Sequence, residues 1–426
     1  MSKKEESKLT DLYIEIENLH PFEGSYLFEK FIKEETTSTI SWVSTTKQGM
    51  FGDFEVEVAA KDIEIAPGII STFNWGSFQL GDIEGTLETG AIWNSERIGF
   101  LIKGKIDKRQ KSWVLDLCEK FKVYVAKNSI YKGRAIRIDS FDHNNIDLPK
   151  FIDTSVIKDG EYILNSNVEI QINTSIFAVI KNHEKCRQFN IPIKRGVLLA
   201  GPYGTGKTLV ARRVSKFCVD NGWTYILVKD PKDLARAFSY SKRFSPSVVF
   251  VEDIDAAFTS DHRDSDTNDF LNSFDNIYSK NAETIFIMTT NHANQLSKPM
   301  LRPGRIDSVV QFEAPNVNSI KRLIRYFSGD FLLDTDAELE VTAVKFAERK
   351  VIPAVLREVI ERAKLKGLSE NAVKPLFKSA ILLELHEEMA HHLALIENAI
   401  DLGVKKDALT LEDKINKVVF LLERYL

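Results

Sequence analysis

The apolar positions of this chain change period as the sequence advances. From about residue 20 to 145 they alternate as strands do, with Phe54, Val56 and Val58 on one side and Glu55 and Glu57 on the other. Further strands are predicted at Ile98 to Ile106 and Ala135 to Ile138. Between them Trp113, Leu117, Cys118, Phe121, Tyr124 and Val125 recur at three- and four-residue spacing, which predicts one amphipathic helix starting after Asp107. Residues 20–145 thus read as a small mixed α/β domain behind a polar leader, 1–19. It carries no catalytic signature, so a packing or partner-docking role is expected of it.

The stretch Asp142 to Lys150, with Asn144, Asn145 and Pro149, reads as a linker. A second domain, 146–313, then shows continuous apolar runs at 197–200, 224–228, 248–251, 285–288 and 308–312, separated by helical stretches. Strands buried on both faces of a parallel sheet have this pattern. Beyond Pro315 the pattern is helical, with helices predicted at Ile320 to Phe327, Val341 to Glu348, Ala354 to Lys366 and Val373 to His392, and Pro353 suits a helix start. Residues 314–426 form this last region, and the chain shows no internal repeat or low-complexity segment.

Composition narrows the partners. The 57 basic and 61 acidic residues are mixed, giving a net charge of -4 and a pI near 6.1 without a long basic block, so nucleic acid is not the expected partner. Cys118, Cys186 and Cys218 lie far apart without metal-ligand spacing, which fits a reducing, cytoplasmic setting. No apolar run approaches the roughly 20 residues of a membrane helix, and the polar start, Met1 to Ser7, lacks a signal-peptide core.

The chemistry begins at Gly201-Pro202-Tyr203-Gly204-Thr205-Gly206-Lys207-Thr208, which fits the phosphate-loop pattern G-x-x-x-x-G-K-[ST] at every fixed position. An apolar strand precedes it and a helix-forming stretch follows, so phosphate would sit at a helix N-terminus. Backbone N–H groups cradle the phosphates, Lys207 adds charge and the Thr208 hydroxyl can ligate the metal, which implies ATP and magnesium.

Three clusters fall where an open parallel sheet places its chemistry, at strand carboxyl ends. Val248 to Val251 runs into Glu252 and Asp253, acids that can hold magnesium and orient water, 45 residues after Lys207 (252 - 207). Ile285 to Thr290 ends in Asn291, placed to hydrogen-bond the γ-phosphate; alone, such an Asn is more often a turn residue. Leu301-Arg302-Pro303-Gly304-Arg305 supplies arginines able to neutralise charge on a transferred phosphoryl group.

Together these residues resemble the AAA family of ring-forming ATPases over about residues 165 to 392. The resemblance implies an α/β fold for this part, a P-loop NTPase parallel-sheet domain with a C-terminal helical lid, and the separate N-terminal mixed α/β domain read from the alternation stands outside it. By position, Gly201 to Thr208 look like Walker A, Glu252 and Asp253 like the Walker B acids, Asn291 like sensor 1, and Arg302 and Arg305 like arginine fingers. It also implies a homo-oligomeric ring, hexamer or heptamer, with ATP at subunit interfaces and a protein client. Within the family, residues 251 to 258 and 289 to 292 look closest to the mitochondrial complex III assembly chaperone and its bacterial relatives.

Two departures qualify the resemblance. Most AAA proteins read Asp-Glu where this chain reads Glu252-Asp253. With Glu252 on magnesium and Asp253 as base, the base is one methylene shorter, about 1.5 Å of reach. Unfolding rings also carry an aromatic pore loop after the second strand; here Val228-Lys229-Asp230-Pro231 runs almost directly into a helical stretch, 232–243, so ordinary threading is not expected. His386-Glu387-Glu388-Met389-Ala390-His391 imitates a zinc motif, but spacing of five residues sets the two rings about 140° apart on a helix, and the 34 residues after His392 are too few for a protease domain. The main expectation is an ATP-driven remodelling or chaperone ring. The alternative is a nucleic-acid-associated ATPase, a loader or clamp.

Overall fold

The computed structural model describes residues 8–49, 52–81, 83–93, 98–139, 148–157, 162–254, 283–292, 305–369 and 374–391. Its contacts divide the chain into two units: residues 1–159, 168–202 and 207–312 form one, and residues 160–167, 203–206 and 313–426 the other.

In the first unit the chain opens with β1 (Leu9–Glu17), although residues 1–19 read as a polar leader. Asp11, Glu15 and Glu17 make the segment look polar, yet Leu12 and Ile14 alternate with them and are buried. The strands that follow are β2 (Ile40–Trp42), β3 (Thr45–Gly49), β4 (Gly52–Val56), β5 (Ala59–Ala66), β6 (Ile69–Trp75), β7 (Ser77–Leu80), β8 (Gly85–Trp93) and β9 (Ile98–Asp107). Five of them make a sheet in the order β1-β9-β8-β7-β2, while β3-β4 and β5-β6 are separate hairpins. β1 pairs antiparallel with β9 along its whole length, from Leu9 opposite Asp107 to Glu17 opposite Gly99.

Two helices complete this domain. Pro21–Glu35 starts with proline at its first turn, where a missing N–H costs nothing, and His20 caps it by accepting from the Phe22 amide. Its Leu27, Phe28, Phe31 and Ile32 lie on one face and are buried. The helix Lys111–Asn128 buries the predicted Leu117, Cys118, Phe121, Tyr124 and Val125, whereas Trp113 is exposed. The Phe28, Phe78, Phe100 and Phe121 rings meet at tilted or edge-on angles, the arrangement their quadrupoles favour.

The second sheet contains β10 (Ala135–Ile138), β11 (Lys150–Phe151), β12 (Arg195–Ala200), β13 (Thr224–Val228), β14 (Ser247–Val251), β15 (Thr284–Thr290) and β16 (Ser308–Gln311), in the order β11-β10-β13-β14-β15-β12-β16. All pairs are parallel except β10 with β11. β10, expected within the domain 20–145, therefore belongs to this sheet, where Ala135 to Ile138 run beside Tyr225 to Val228. β12 to β15 are the continuous apolar strands predicted, and nearly every residue in them is buried.

The second unit is helical. Its helices Val317–Ser328, Asp336–Glu348, Pro353–Ser369 and 380–391 close over a core that includes Ile320, Leu323, Phe346, Leu356, Ile360 and Leu382. Thr335 and Glu338 form a capping box that starts the second helix at Asp336, five residues ahead of the predicted Val341 (341 - 336). Val373 lies outside the described residues; residues 374–379 are not helical, since Phe377 bridges to Leu332 and Ser379 donates to the Asp334 carboxylate, and the helix there begins at residue 380.

Candidate functional site

The strand order explains which predicted residues meet. β15 lies between β14 and β12, and all three are parallel, so their carboxyl ends open on the same edge. Asn291, just past β15, therefore sits between the phosphate loop that follows β12 and the acids that follow β14. Residues far apart in sequence become neighbours by this crossover alone.

Gly201 begins the loop with φ of +154, and a Cβ there would lie 2.3 Å from the Phe312 carbonyl oxygen, so only glycine fits. The Gly201 amide donates to Thr290 O at 3.2 Å, tying the loop to β15. Gly204 and Gly206 also have positive φ, which turns the backbone through the loop before the helix Lys207–Asp220 starts. The amides of a helix's first turn have no intrahelical acceptor, so a helix start favours an anion.

Lys207 is buried, and its ammonium donates to Gly201 O at 2.6 Å, Pro202 O at 2.9 Å and Asn291 Oδ1 at 2.7 Å. Lysine has three N–H groups, so this set matches its capacity, and a phosphate oxygen would take the place of one carbonyl. The Asn291 amide is used from both sides: its oxygen accepts from Lys207 while its Nδ2 donates to Asp253 Oδ1 at 2.9 Å. Lys207, Asn291 and Asp253 form one chain of polar contacts.

Glu252 is half-buried at the end of β14, and Asp253 is exposed with φ of +48. The left-handed region costs most L-residues about 1 to 2 kcal/mol, and aspartate is among those that tolerate it. Here two bonds stabilise the turn: the Asp253 amide donates to Thr289 Oγ1 at 2.9 Å, and the Ile254 amide to Thr289 O at 2.9 Å. Thr289 had no place among the predicted site residues. A hydroxyl repeated at a strand end, Thr289-Thr290, is the sequence signal for it; Thr290 caps the next turn by accepting from the His292 amide.

Arg302 lies outside the described residues. Arg305 is placed by its neighbour Asp307, whose amide donates to Gly196 O at 2.8 Å and whose carboxylate accepts from the Gly196 amide at 2.9 Å. Gly196 is at the amino end of the six-residue β12, and the phosphate loop is at the other end, about 16 Å along the strand from Gly196 to Gly201. The backbone next to Arg305 is thus at the opposite edge of the sheet from the loop of its own chain.

These residues fit a nucleoside triphosphate: a glycine cradle, a buried lysine and a helix N-terminus converge. Magnesium usually keeps several waters and takes only one or two protein carboxylates. Among the described residues no group of three or more His, Cys, Asp or Glu forms a metal cage, while exposed Thr208 and half-buried Glu252 offer the sparse donor set this ion needs. Between β13 and the 3₁₀ turn Pro231–Asp233 only Lys229 and Asp230 intervene, and the helix that follows is Leu234–Ser241. His386, in the imitation zinc motif, packs edge-on against Phe346 and contacts Arg349.

Among the described residues no helix is long and apolar enough to cross a membrane. The family model described as "ATPase family associated with various cellular activities (AAA)" matches residues 197–314. The chain is 28% identical over 216 residues to the ATP-dependent zinc metalloprotease FtsH of Syntrophotalea carbinolica, covering 47% of this chain and 33% of that protein. It is 31% identical over 183 residues to the chloroplastic ATP-dependent zinc metalloprotease FTSH 2 of Oryza sativa subsp. japonica, covering 39% and 27%. The match spans about a third or less of the length of these relatives.

Proposed function

We propose that this chain, which carries an AAA-family ATPase domain at residues 197–314, hydrolyses ATP as a homo-oligomeric ring and uses the energy to remodel protein clients. The observation that carries this reading is the Asn291 amide joining Lys207 to Asp253, because it couples the phosphate-binding charge to the acid that would handle water. Lys207 and the loop amides bind and orient the outer phosphates. Asn291 aligns the γ-phosphate with the attacking water, and Asp253 accepts the water's proton. Magnesium, held through Thr208 and Glu252, would supply positive charge on the phosphates. Arg305 acts on the nucleotide of a neighbouring subunit, which its position at the far edge of the sheet supports.

The N-terminal domain, with no catalytic signature, would engage the client. The two-residue connection after β13 supports a ring that acts on folded or partly folded clients without ordinary threading, as does the likeness of residues 251 to 258 to the complex III assembly chaperone. Proteolysis is named for the relatives; the spacing of His386 and His391 argues against that chemistry here. Measured ATP turnover and particle size, combined with fluorescence anisotropy on single- and double-stranded DNA at two salt concentrations, separate this reading from a nucleic-acid loader. Tight, steeply salt-dependent DNA binding would favour the loader.

A further inference from the structure

We infer that Thr289 is a positioning residue of the hydrolytic site, acting through the backbone turn at Asp253; this rests on the ATPase reading above. In register, Val251 lies opposite Met288, so the next residues on the two strands are Glu252 and Thr289. An ordinary extended continuation of β14 would carry Asp253 onward in line with the sheet. Instead its φ is +48, and the chain turns at that residue.

Thr289 holds this turn with both of its available oxygens. Its hydroxyl accepts from the Asp253 amide and its carbonyl from the Ile254 amide, each at 2.9 Å. The threonine is 2% exposed, so water has little access to replace the hydroxyl once it is lost. The backbone carbonyl bond would be present with any residue at 289; the hydroxyl bond requires Ser or Thr. It sets the direction in which the Asp253 carboxylate leaves the turn, and the same carboxylate receives the Asn291 amide. Thr289 thus touches neither phosphate nor water in this scheme. It fixes the angle of the group that does.

A hydroxyl acting in this way should affect the chemical step and spare nucleotide binding, because the phosphate loop is held separately through Gly201, Thr290 and Lys207. The experiment compares the full chain with Thr289→Val, Thr289→Cys and Thr289→Ser, measuring kcat for ATP and the affinity for a fluorescent ATP analogue. The expected result is a fall in kcat of on the order of tenfold or more for Val and Cys, with affinity changed less than about threefold, and recovery of most turnover with Ser. Cys and Ser differ by one atom, so that pair decides the matter should Thr289→Val not fold. Wild-type turnover in Thr289→Cys, or loss of affinity in step with kcat, would overturn the proposal alone. Absence of turnover in the unaltered chain would remove both this proposal and the ATPase reading beneath it.

Discussion

Glu23 and Arg243 form a buried ion pair that links the helix Pro21–Glu35 to the segment after the helix Leu234–Ser241, with Arg243 Nη1 3.1 Å from Glu23 Oε2. Arg243 Nη1 also donates to Asn18 O at 3.0 Å. The other carboxylate oxygen of Glu23 accepts from Ser129 Oγ at 2.5 Å and from the Ile130 amide at 3.2 Å. One carboxylate thus joins the N-terminal helices to the parallel-sheet layer.

Removing the cation alone should be costly, since a buried charge left without its partner destabilises by about 3 to 5 kcal/mol. Arg243→Met is expected to lower stability by roughly that amount in chemical denaturation. Glu23→Gln combined with Arg243→Met should lose less than the single arginine variant. Additive losses would show that the pair is not coupled.

Arg305 and Lys207 should complement each other across subunits. Each of Lys207→Ala and Arg305→Ala is expected to be inactive alone. When the two are co-assembled, roughly a quarter of the interfaces would combine an intact loop with an intact arginine, and activity should return in that proportion. A mixture as inactive as its parts would place Arg305 outside the site.

Asn291→Ala removes the amide that spans Lys207 and Asp253. Turnover should fall on the order of 10²-fold, the scale seen when one positioned donor is lost from a charged transition state. Stopped-flow binding and steady-state turnover separate this from lost affinity, and unchanged kcat would refute the assignment.

Much of this was legible beforehand, and the parts that were not have physical causes. The helix Lys111–Asn128 and the strands β12 to β15 follow from local period, because burial on one face or on both writes itself into neighbouring residues. β10 also reads as a strand, but its partner β13 is some 90 residues on, and alternation says nothing about which sheet a strand joins. The phosphate loop, Asp253 and Asn291 are identifiable by type and spacing. The contact of Asn291 with Lys207 and Asp253 is not, since it depends on β15 lying between β12 and β14. The turn at Asp253 and its support by Thr289 are tertiary facts with only a faint local signal.

Asp107 provides a pH-dependent check on the N-terminal domain. Side-chain hydrogen bonds from Arg109 hold its carboxyl at about 2, below the usual 3.8, and the Arg109 amide adds to the effect. A depressed folded-state pKa stabilises above the unfolded value and is lost as pH falls through the folded one. Asp107→Asn should therefore lower the melting temperature near pH 5 to 7, with the gap to wild type closing between about pH 4 and pH 2. A gap independent of pH would mean that the charge is not responsible.

The central claim is that the loop around Lys207 binds ATP for hydrolysis. Steady-state phosphate release by the purified chain, with ATP and magnesium, at protein concentrations spanning assembly, examines it most directly. The account predicts turnover that rises with oligomerisation and disappears in Lys207→Ala while the fold is retained. No turnover at any concentration, or equal turnover in Lys207→Ala, would contradict it.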